Sequence, residues 1–452
     1  MEEKQKKTLI IIGIVLFVLM IIIAVLLIIN KNRNSSNGDN GSGSSIIPSG
    51  TTVELAYWGL WEPTSVMQPI IDEFEDKYPN IKIQYSQSTF TNYESRLYTR
   101  LQQASSSNDP APDIFRIHNS WVPKYYSYLS PLPASIMTTA EYAESFYNTV
   151  VDDFTAKDGN IYAIPWEIDG LMVYYNKALL AEVGAQKPPE DWDSFFELAQ
   201  KLTKKDASGR ITQSGLAIGT SRNIRHSAEI LSFFLLQEGV NVIDETRTKV
   251  SLNTPKAQAV FNTYTNFARG DTAVWSPTLK TDLEMFFSGK LAMMIGPSWR
   301  TFDIIEAAPT IEFDTSPLPQ LKANEEKIYY ATYWGDAVSK NAVNTDAAWT
   351  FVKFLAEKEQ QMSLYSNASQ IRAFGEPYAL VELNGELLGK TYVSAIAEMA
   401  PYMKSWQKGD EMSVNAAIDE AITDIIENDM DVSAALKKAE EAINAKIGVT
   451  NK

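Results

Sequence analysis

Hydrophobic and polar positions divide the chain into two regimes. Thr8–Ile29 reads TLIIIGIVLFVLMIIIAVLLII, 22 residues without a charge and apolar on every face. At about 1.5 Å per residue such a helix spans roughly 33 Å, enough for the ~30 Å hydrocarbon core of a bilayer. A secretory signal has a shorter apolar stretch, about 7–15 residues, and a small-x-small cleavage site. This run ends instead in Ile28-Ile29-Asn30-Lys31. The pattern predicts an uncleaved transmembrane anchor over residues 8–29, with residues 1–7 cytoplasmic and 30–50 a flexible linker. Within that linker Asn34–Ser45 contains only Asn, Ser, Gly and Asp, the composition of a solvated coil. Lys4, Lys6 and Lys7 before the span are nearly balanced by Lys31 and Arg33 after it, so the tether decides the orientation. It places the rest of the chain on the extracytoplasmic side of a single-pass cell-membrane protein.

After the linker the periods change. Val53–Trp58 and Ile81–Tyr85 alternate with the period of strands, and Asp113–Ile117 (DIFRI) reads as a third. Between them, Met67, Ile70, Ile71, Phe74 and Tyr78 keep helical spacing behind a Thr64 cap, with Pro69 predicting a bend or a later start. Tyr93, Leu97 and Leu101 form a second helical stripe, stopped by Asp109-Pro110-Ala111-Pro112. This alternation predicts an α/β unit with mostly parallel pairing. A strand-rich entry at Ile161–Tyr175 and a helix at Trp192–Leu202 follow. Ser227–Arg269 is expected to be helical in two pieces split near Asn241–Thr254. Leu291–Ile295 and Tyr329–Val338 read as strands, and Thr345 as the cap of a helix carrying Trp349, Val352 and Leu355. Ile418, Ile422 and Ile425, then Leu436, Ala439, Ile443 and Ile447, mark two C-terminal helices.

Charge and composition narrow the function. Of 40 Lys+Arg and 56 Asp+Glu, five and three fall in residues 1–50, leaving residues 51–452 with 35 against 53. A net of −18 on that portion repels phosphate backbones and excludes nucleic acid as the partner. There is no Cys, and His118 and His226 are the only histidines. Thiolate metal sites, Cys nucleophiles and paired-His zinc motifs are therefore absent from the sequence, and no metal or cofactor is expected. There is no GxSxG elbow, and Gly385–Thr391 (GELLGKT) has one residue too few for a phosphate-cradling loop and reads as a surface loop.

Two features carry candidate chemistry. Glu167 and Asp169 lie two apart in an extended segment, so their side chains share a face. They could act as acid and base of a glycoside hydrolase, or accept hydrogen bonds from sugar hydroxyls. The second feature is aromatic. Trp58, Trp61, Trp121, Trp166, Trp299 and Trp334 sit beside loop signals, where an indole can stack on the C–H face of a pyranose. Trp192 and Trp349, at helical positions, are assigned to the core.

These segments, in this order, resemble the extracellular solute-binding proteins of ABC importers, family 1, the group of maltose-binding protein. Glu73–Ile83 (EFEDKYPNIKI), Pro112-Asp113-Ile114-Phe115, Asp158–Asn176 (DGNIYAIPWEIDGLMVYYN), Phe287–Trp299 (FSGKLAMMIGPSW) and Tyr333–Leu355 carry the resemblance. It implies an α/β, two-lobed periplasmic-binding-protein-like fold (type II) with crossover hinge strands, closing on a solute in the cleft. It implies lobe one from 51–164 and 327–372, and lobe two from 165–326 and 373–452. Ligand contacts are implied for Trp61 and Glu62 after the first strand, Asn119 and Trp121 after the third, and Trp166 and Asp169 at the first crossover. Trp299 after the "G.W" strand, and Trp334 and Asp336 at the second crossover, complete the set. This chain has Asn119-Ser120 where the maltose group has an acidic residue followed by Arg. It also carries a helical anchor where the family is secreted or lipidated.

The expectation is a monomeric, non-enzymatic receptor that presents a mono- or oligosaccharide to the transmembrane subunits of an ABC permease. A cationic solute such as a polyamine is the alternative within that class, since Trp and Asp together also hold ammonium groups. A surface hydrolase using Glu167 and Asp169, and an adhesin that docks polymers without closure, are the alternatives outside it.

Overall fold

The computed structural model describes residues 51–103, 111–244, 249–321 and 326–450. The expected anchor at 8–29, the linker, and the Asp109-Pro110 part of the helix stop lie outside them. Among the described residues no helix is long and apolar enough to cross a membrane.

Eleven strands occur among the described residues: β1 (Val53–Leu60), β2 (Ile81–Ser88), β3 (Ile114–His118), β4 (Leu171–Asn176), β5 (Lys204–Lys205), β6 (Ile211–Leu216), β7 (Leu291–Pro297), β8 (Phe313–Ser316), β9 (Tyr329–Tyr330), β10 (Trp334–Val338) and β11 (Met403–Lys404). They form a four-stranded sheet in the order β10-β3-β1-β2 and a five-stranded sheet in the order β5-β6-β7-β4-β8, with β9 and β11 paired separately. In the first sheet β1 runs parallel to β2 and β3, as the strand–helix alternation requires. The late strand β10 joins antiparallel to β3. In the second sheet β4 lies antiparallel between β7 and β8.

The helices follow the stripes, with corrections at their ends. Thr64–Lys77 buries Val66, Met67, Ile70, Ile71 and Phe74, while Tyr78 takes the C-cap. Thr64 is the first helical residue and not the cap, and Pro69 neither delays nor stops the helix. Ser65, whose carbonyl loses its donor to the proline ring, is on the exposed side with Pro69 and reaches water instead. Thr345 likewise opens its helix, and the cap is Asn344, whose side chain accepts from the Ala347 N–H at 3.0 Å. Trp349 is fully buried and Trp192 nearly so, as their helical positions imply. Ser227–Gln237 and Pro255–Asn266 are the two expected helical pieces. The C-terminal helices are Glu411–Glu427 and Val432–Thr450, the first burying Ile418, Ile422 and Ile425, the second Leu436, Ala439 and Ile443. Gly385-Glu386 end a short 3₁₀ turn, Val381–Glu386, with no strand before it.

The stretch expected as strands at Ile161–Tyr175 is mostly connector. Only Leu171–Asn176 joins a ladder, while Ile164, Glu167 and Gly170 make single bridges to Asp336, Tyr378 and Ala331. Tyr329–Val338 is split the same way into β9 and β10. Thus residues 161–170, 331–336 and 377–378 run side by side between the two sheets. Gly170 is required there: a Cβ would stand 2.4 Å from the Tyr330 carbonyl oxygen of the neighbouring connector. On either side of this junction, the helix Lys358–Ala368 packs on Thr64–Lys77, and Ser394–Met399 on β8.

Candidate functional site

The connectors bring together side chains far apart in sequence. β3 carries Arg116 among apolar neighbours, 1 % exposed. Its guanidinium pairs with Glu167 on the first connector and, at 3.5 Å, with Asp336 on β10. It also lies 4.4 Å from the centre of the Trp166 ring. Asp336 is saturated, accepting from Tyr57 Oη at 2.9 Å and Trp166 Nε1 at 2.8 Å as well as from Arg116. Just before the third connector, Arg372 Nη2 reaches Glu62 Oε1 at 2.6 Å and Glu376 Oε1 at 2.9 Å. Burial drives the Glu167 carboxyl well above the usual range, opposed by Arg116 and reinforced by Glu376 and Asp169. Glu62 is also raised, by burial and then by Glu376, against Arg372.

An aromatic wall stands beside this network. Trp61, in the loop after β1, adopts a left-handed backbone with φ of 59°. Such a conformation costs a non-glycine residue about 1–3 kcal/mol and persists only where surrounding contacts impose it. Here the Trp61 carbonyl accepts from Gln87 Nε2 at 2.9 Å, and the ring stacks on Phe90 at 6.0 Å between centroids. Trp334 meets Trp61, His118 and Trp121 edge-on at 5.1, 5.1 and 4.9 Å. The Trp121 N–H donates to Glu411 at 3.2 Å, and His118 Nδ1 lies 3.0 Å from the same carboxylate. Burial would raise Glu411, yet His118, Lys408 and the Trp121 N–H outweigh it and hold that carboxyl at about 2.

On the second sheet, Trp299 follows β7 and stays 41 % exposed, with the Arg300 guanidinium 3.9 Å from its ring centre. The adjacent Ser298 N–H donates to Asp169 at 3.2 Å, and the Gly170 N–H at 2.8 Å. Burial outweighs these donors and, with Glu376 adding, raises Asp169 from 3.8 to about 8. The native state therefore keeps a proton that the unfolded chain has released above about pH 4. That group makes the fold less stable as pH rises from about 4 to about 8. Urea midpoints across this window should show a shallower decline in Asp169→Asn; parallel profiles would assign the slope to other groups.

Placed together are Glu62, Trp166 and Asp336 around the two arginines, Trp61, Trp121 and Trp334 in the wall, and Asp169 with Trp299 through Ser298. Asn119 is turned elsewhere: its amide donates to Asp153 at 2.9 Å and accepts from the Tyr333 N–H at 3.4 Å, and it is 1 % exposed. Trp58 is half-buried with Arg96 over its ring at 4.4 Å. Glu167 is committed to Arg116, whereas Asp169 faces backbone donors. Among the described residues no group of three or more His, Asp or Glu is arranged to hold a metal ion. Sequence reasoning missed Arg116, Arg372, Glu376 and Glu411. Of these only Arg116 carried a signal, a charge inside the otherwise apolar strand Ile114–Ile117.

The fold has close counterparts. The cyclic α-maltosyl-1,6-maltose binding protein from Arthrobacter globiformis superimposes with a TM-score of 0.71 at 20% identity, covering 88% of this chain and all of that one. A cyclo/maltodextrin-binding protein in complex with maltotetraose does so with a TM-score of 0.71 at 19% identity, covering 90% of this chain and all of the other. Both place the chain in the two-lobed α/β periplasmic-binding-protein-like fold. In sequence, a putative binding protein of Brucella abortus is 22% identical over 353 residues, which cover 76% of this chain and 81% of that protein. The diacetylchitobiose binding protein of Streptomyces coelicolor is 25% identical over 302 residues, 64% of this chain and 66% of the relative. The family model for bacterial extracellular solute-binding proteins matches residues 69–375, from within the first helix through the first two connectors, and the chain belongs to that family.

Proposed function

We propose that this solute-binding protein is the receptor of an ABC importer and takes a mono- or oligosaccharide between its two lobes. The observation that carries the reading is the pair of indoles left open on opposite sheets. Trp61 after β1 and Trp299 after β7 are 42 % and 41 % exposed, each beside a buried carboxylate, Glu62 and Asp169. An indole face and an adjacent acceptor are what a pyranose ring with its hydroxyls requires. Saccharide ligands of similar proteins, diacetylchitobiose and maltotetraose among them, support the same class. The lobes comprise 51–164 with 327–372 and 165–326 with 373–452, and Trp121, Trp166, Trp334 and Asp336, all buried, support the site from behind the open indoles. Asn119 serves by bracing the Tyr333 backbone.

The receptor is monomeric and non-enzymatic, delivers its solute to the permease's transmembrane subunits, and is held outside the cell membrane by residues 8–29. Retention in the membrane pellet through alkaline washing checks the anchor; a mature N-terminus between Ile29 and Gly50 refutes it. The functional test is a thermal-shift screen against sugars and polyamines. At one hundred times its dissociation constant a ligand should stabilise the fold by about 2.7 kcal/mol. Recovery of the sugar intact distinguishes a receptor from a hydrolase acting through Glu167 and Asp169. A response to polyamines alone would replace the saccharide reading.

A further inference from the structure

The aromatic wall does not close evenly. β1 and β2 run parallel and end opposite each other, Leu60 facing Ser88, so the loops carrying Trp61 and Phe90 leave the same edge of the sheet. Trp334 stands at that edge too, opposite His118 at the end of β3. Across it, Trp334 and Trp121 at β10 and β3 are 9 % and 2 % exposed, whereas Trp61 at β1 is 42 % and Phe90 at β2 is 58 %. The wall is packed at one end and opens toward β2, the outermost strand of the sheet.

The open end is held in place by its neighbours. Tyr85 Oη donates to the Glu62 carbonyl at 2.6 Å and Gln87 Nε2 to the Trp61 carbonyl, so β2 braces the loop that follows β1. The Phe90 carbonyl accepts from the Tyr93 N–H at 3.0 Å, closing a turn in which Asn92 is left-handed with φ of 65°. Trp334 meets both open rings edge-on, Trp61 at 5.1 Å and Phe90 at 6.2 Å. Trp61 and Phe90 themselves lie 25° from parallel with centroids 6.0 Å apart, an offset stack in which each ring keeps part of its surface free. Apolar surface fixed in advance lowers the ordering cost of binding. One pyranose on Trp61 leaves Phe90 bare. The next ring of a linear chain, joined through a single glycosidic oxygen, stands off by a distance comparable to the 6.0 Å between these centroids.

We infer that Phe90 forms an outer subsite and that the solute is a linear oligosaccharide, with one ring on Trp61, the next on Phe90, and its far end leaving past β2. The inference rests on the saccharide reading and fixes the length class within it. Phe90 selects for length because a monosaccharide held at Trp61 does not reach it.

Calorimetry of the full-length chain in detergent reads the length dependence. The ligands are α-1,4-glucans, β-1,4-glucans, β-1,4-linked N-acetylglucosamine oligomers and any sugar class found in the thermal-shift screen, each from monosaccharide to hexasaccharide. In the series that binds, affinity should rise by about fivefold or more when the ring that reaches Phe90 is added. Phe90→Ala should abolish that step while leaving the shortest bound sugar and the unliganded melting temperature unchanged, and Phe90→Tyr should keep it. Trp61→Ala should weaken every length. Affinity independent of length, binding confined to monosaccharides, or a step that survives Phe90→Ala overturns the inference and leaves the saccharide reading standing. An equal loss at all lengths in Phe90→Ala makes Phe90 a support for Trp61 and overturns it as well. If no sugar binds, both readings fall.

Discussion

Replacing Arg116 by methionine is expected to cost the fold about 3–5 kcal/mol, measured as the shift in urea unfolding of residues 51–452. Arg116 supplies the cationic partner to Glu167 and one of the donors to Asp336, which are 5 % and 0 % exposed. Methionine fills similar volume, so the loss comes from two carboxylates stranded in a low dielectric rather than from a cavity. Adding Glu167→Gln should restore part of it, because one stranded charge disappears while an amide of the same shape remains. Non-additivity of that kind marks partners in one network. A loss below about 1 kcal/mol in Arg116→Met, the range of exposed ion pairs, would mean that water reaches the site and the network is not buried as described.

The second large effect separates two tryptophans that look alike in composition. Trp349→Ala should cost about 3–5 kcal/mol of stability, since that indole is fully buried in the helix Thr345–Leu355 and truncation leaves a cavity. Trp299→Ala should leave the unliganded melting temperature nearly unchanged, because the ring is already 41 % exposed, and should weaken solute binding by about 2 kcal/mol or more. Calorimetry of the two variants with one sugar decides the matter. If Trp299→Ala binds undiminished, the exposed indole on the second sheet is not part of the site. A sharp fall in its melting temperature would instead make its contacts with Arg300 and His226 structural.

Much of the architecture was legible from periodicity, and the reason is local. Val53–Leu60 and Ile81–Ser88 alternate because one strand face is buried and the other is not, and Tyr93, Leu97 and Leu101 share a helical stripe that meets the core. The same spacing assigned Trp349 and Trp192 to the interior. Helix ends were read less well. Thr64 and Thr345 are good caps by residue type, but capping is settled by backbone dihedrals one residue away, and Pro63 and Asn344 hold those positions. Pro69 was tolerated because its lost hydrogen bond faces water.

The site divides along the same line. The sequence by itself determined which residue types could meet a sugar and roughly where they stand relative to strand ends, so Trp61, Asp169 and Trp299 could be named. It also carried the family through ordered motifs spanning most of residues 51–452. Only the tertiary structure decided how those residues are used. Arg116 finds Glu167 across 51 positions and Asp336 across 220, and Arg372 finds Glu62 across 310. No local period records such pairings, because they depend on how three connectors cross between two sheets. For the same reason exposure could not be read from residue type. Trp166 and Trp334 are packed away and Asn119 is turned onto Asp153, while Trp61 and Trp299 stay open. Loop position makes an indole available for solvent or core, and the neighbours brought by the distant chain choose between them.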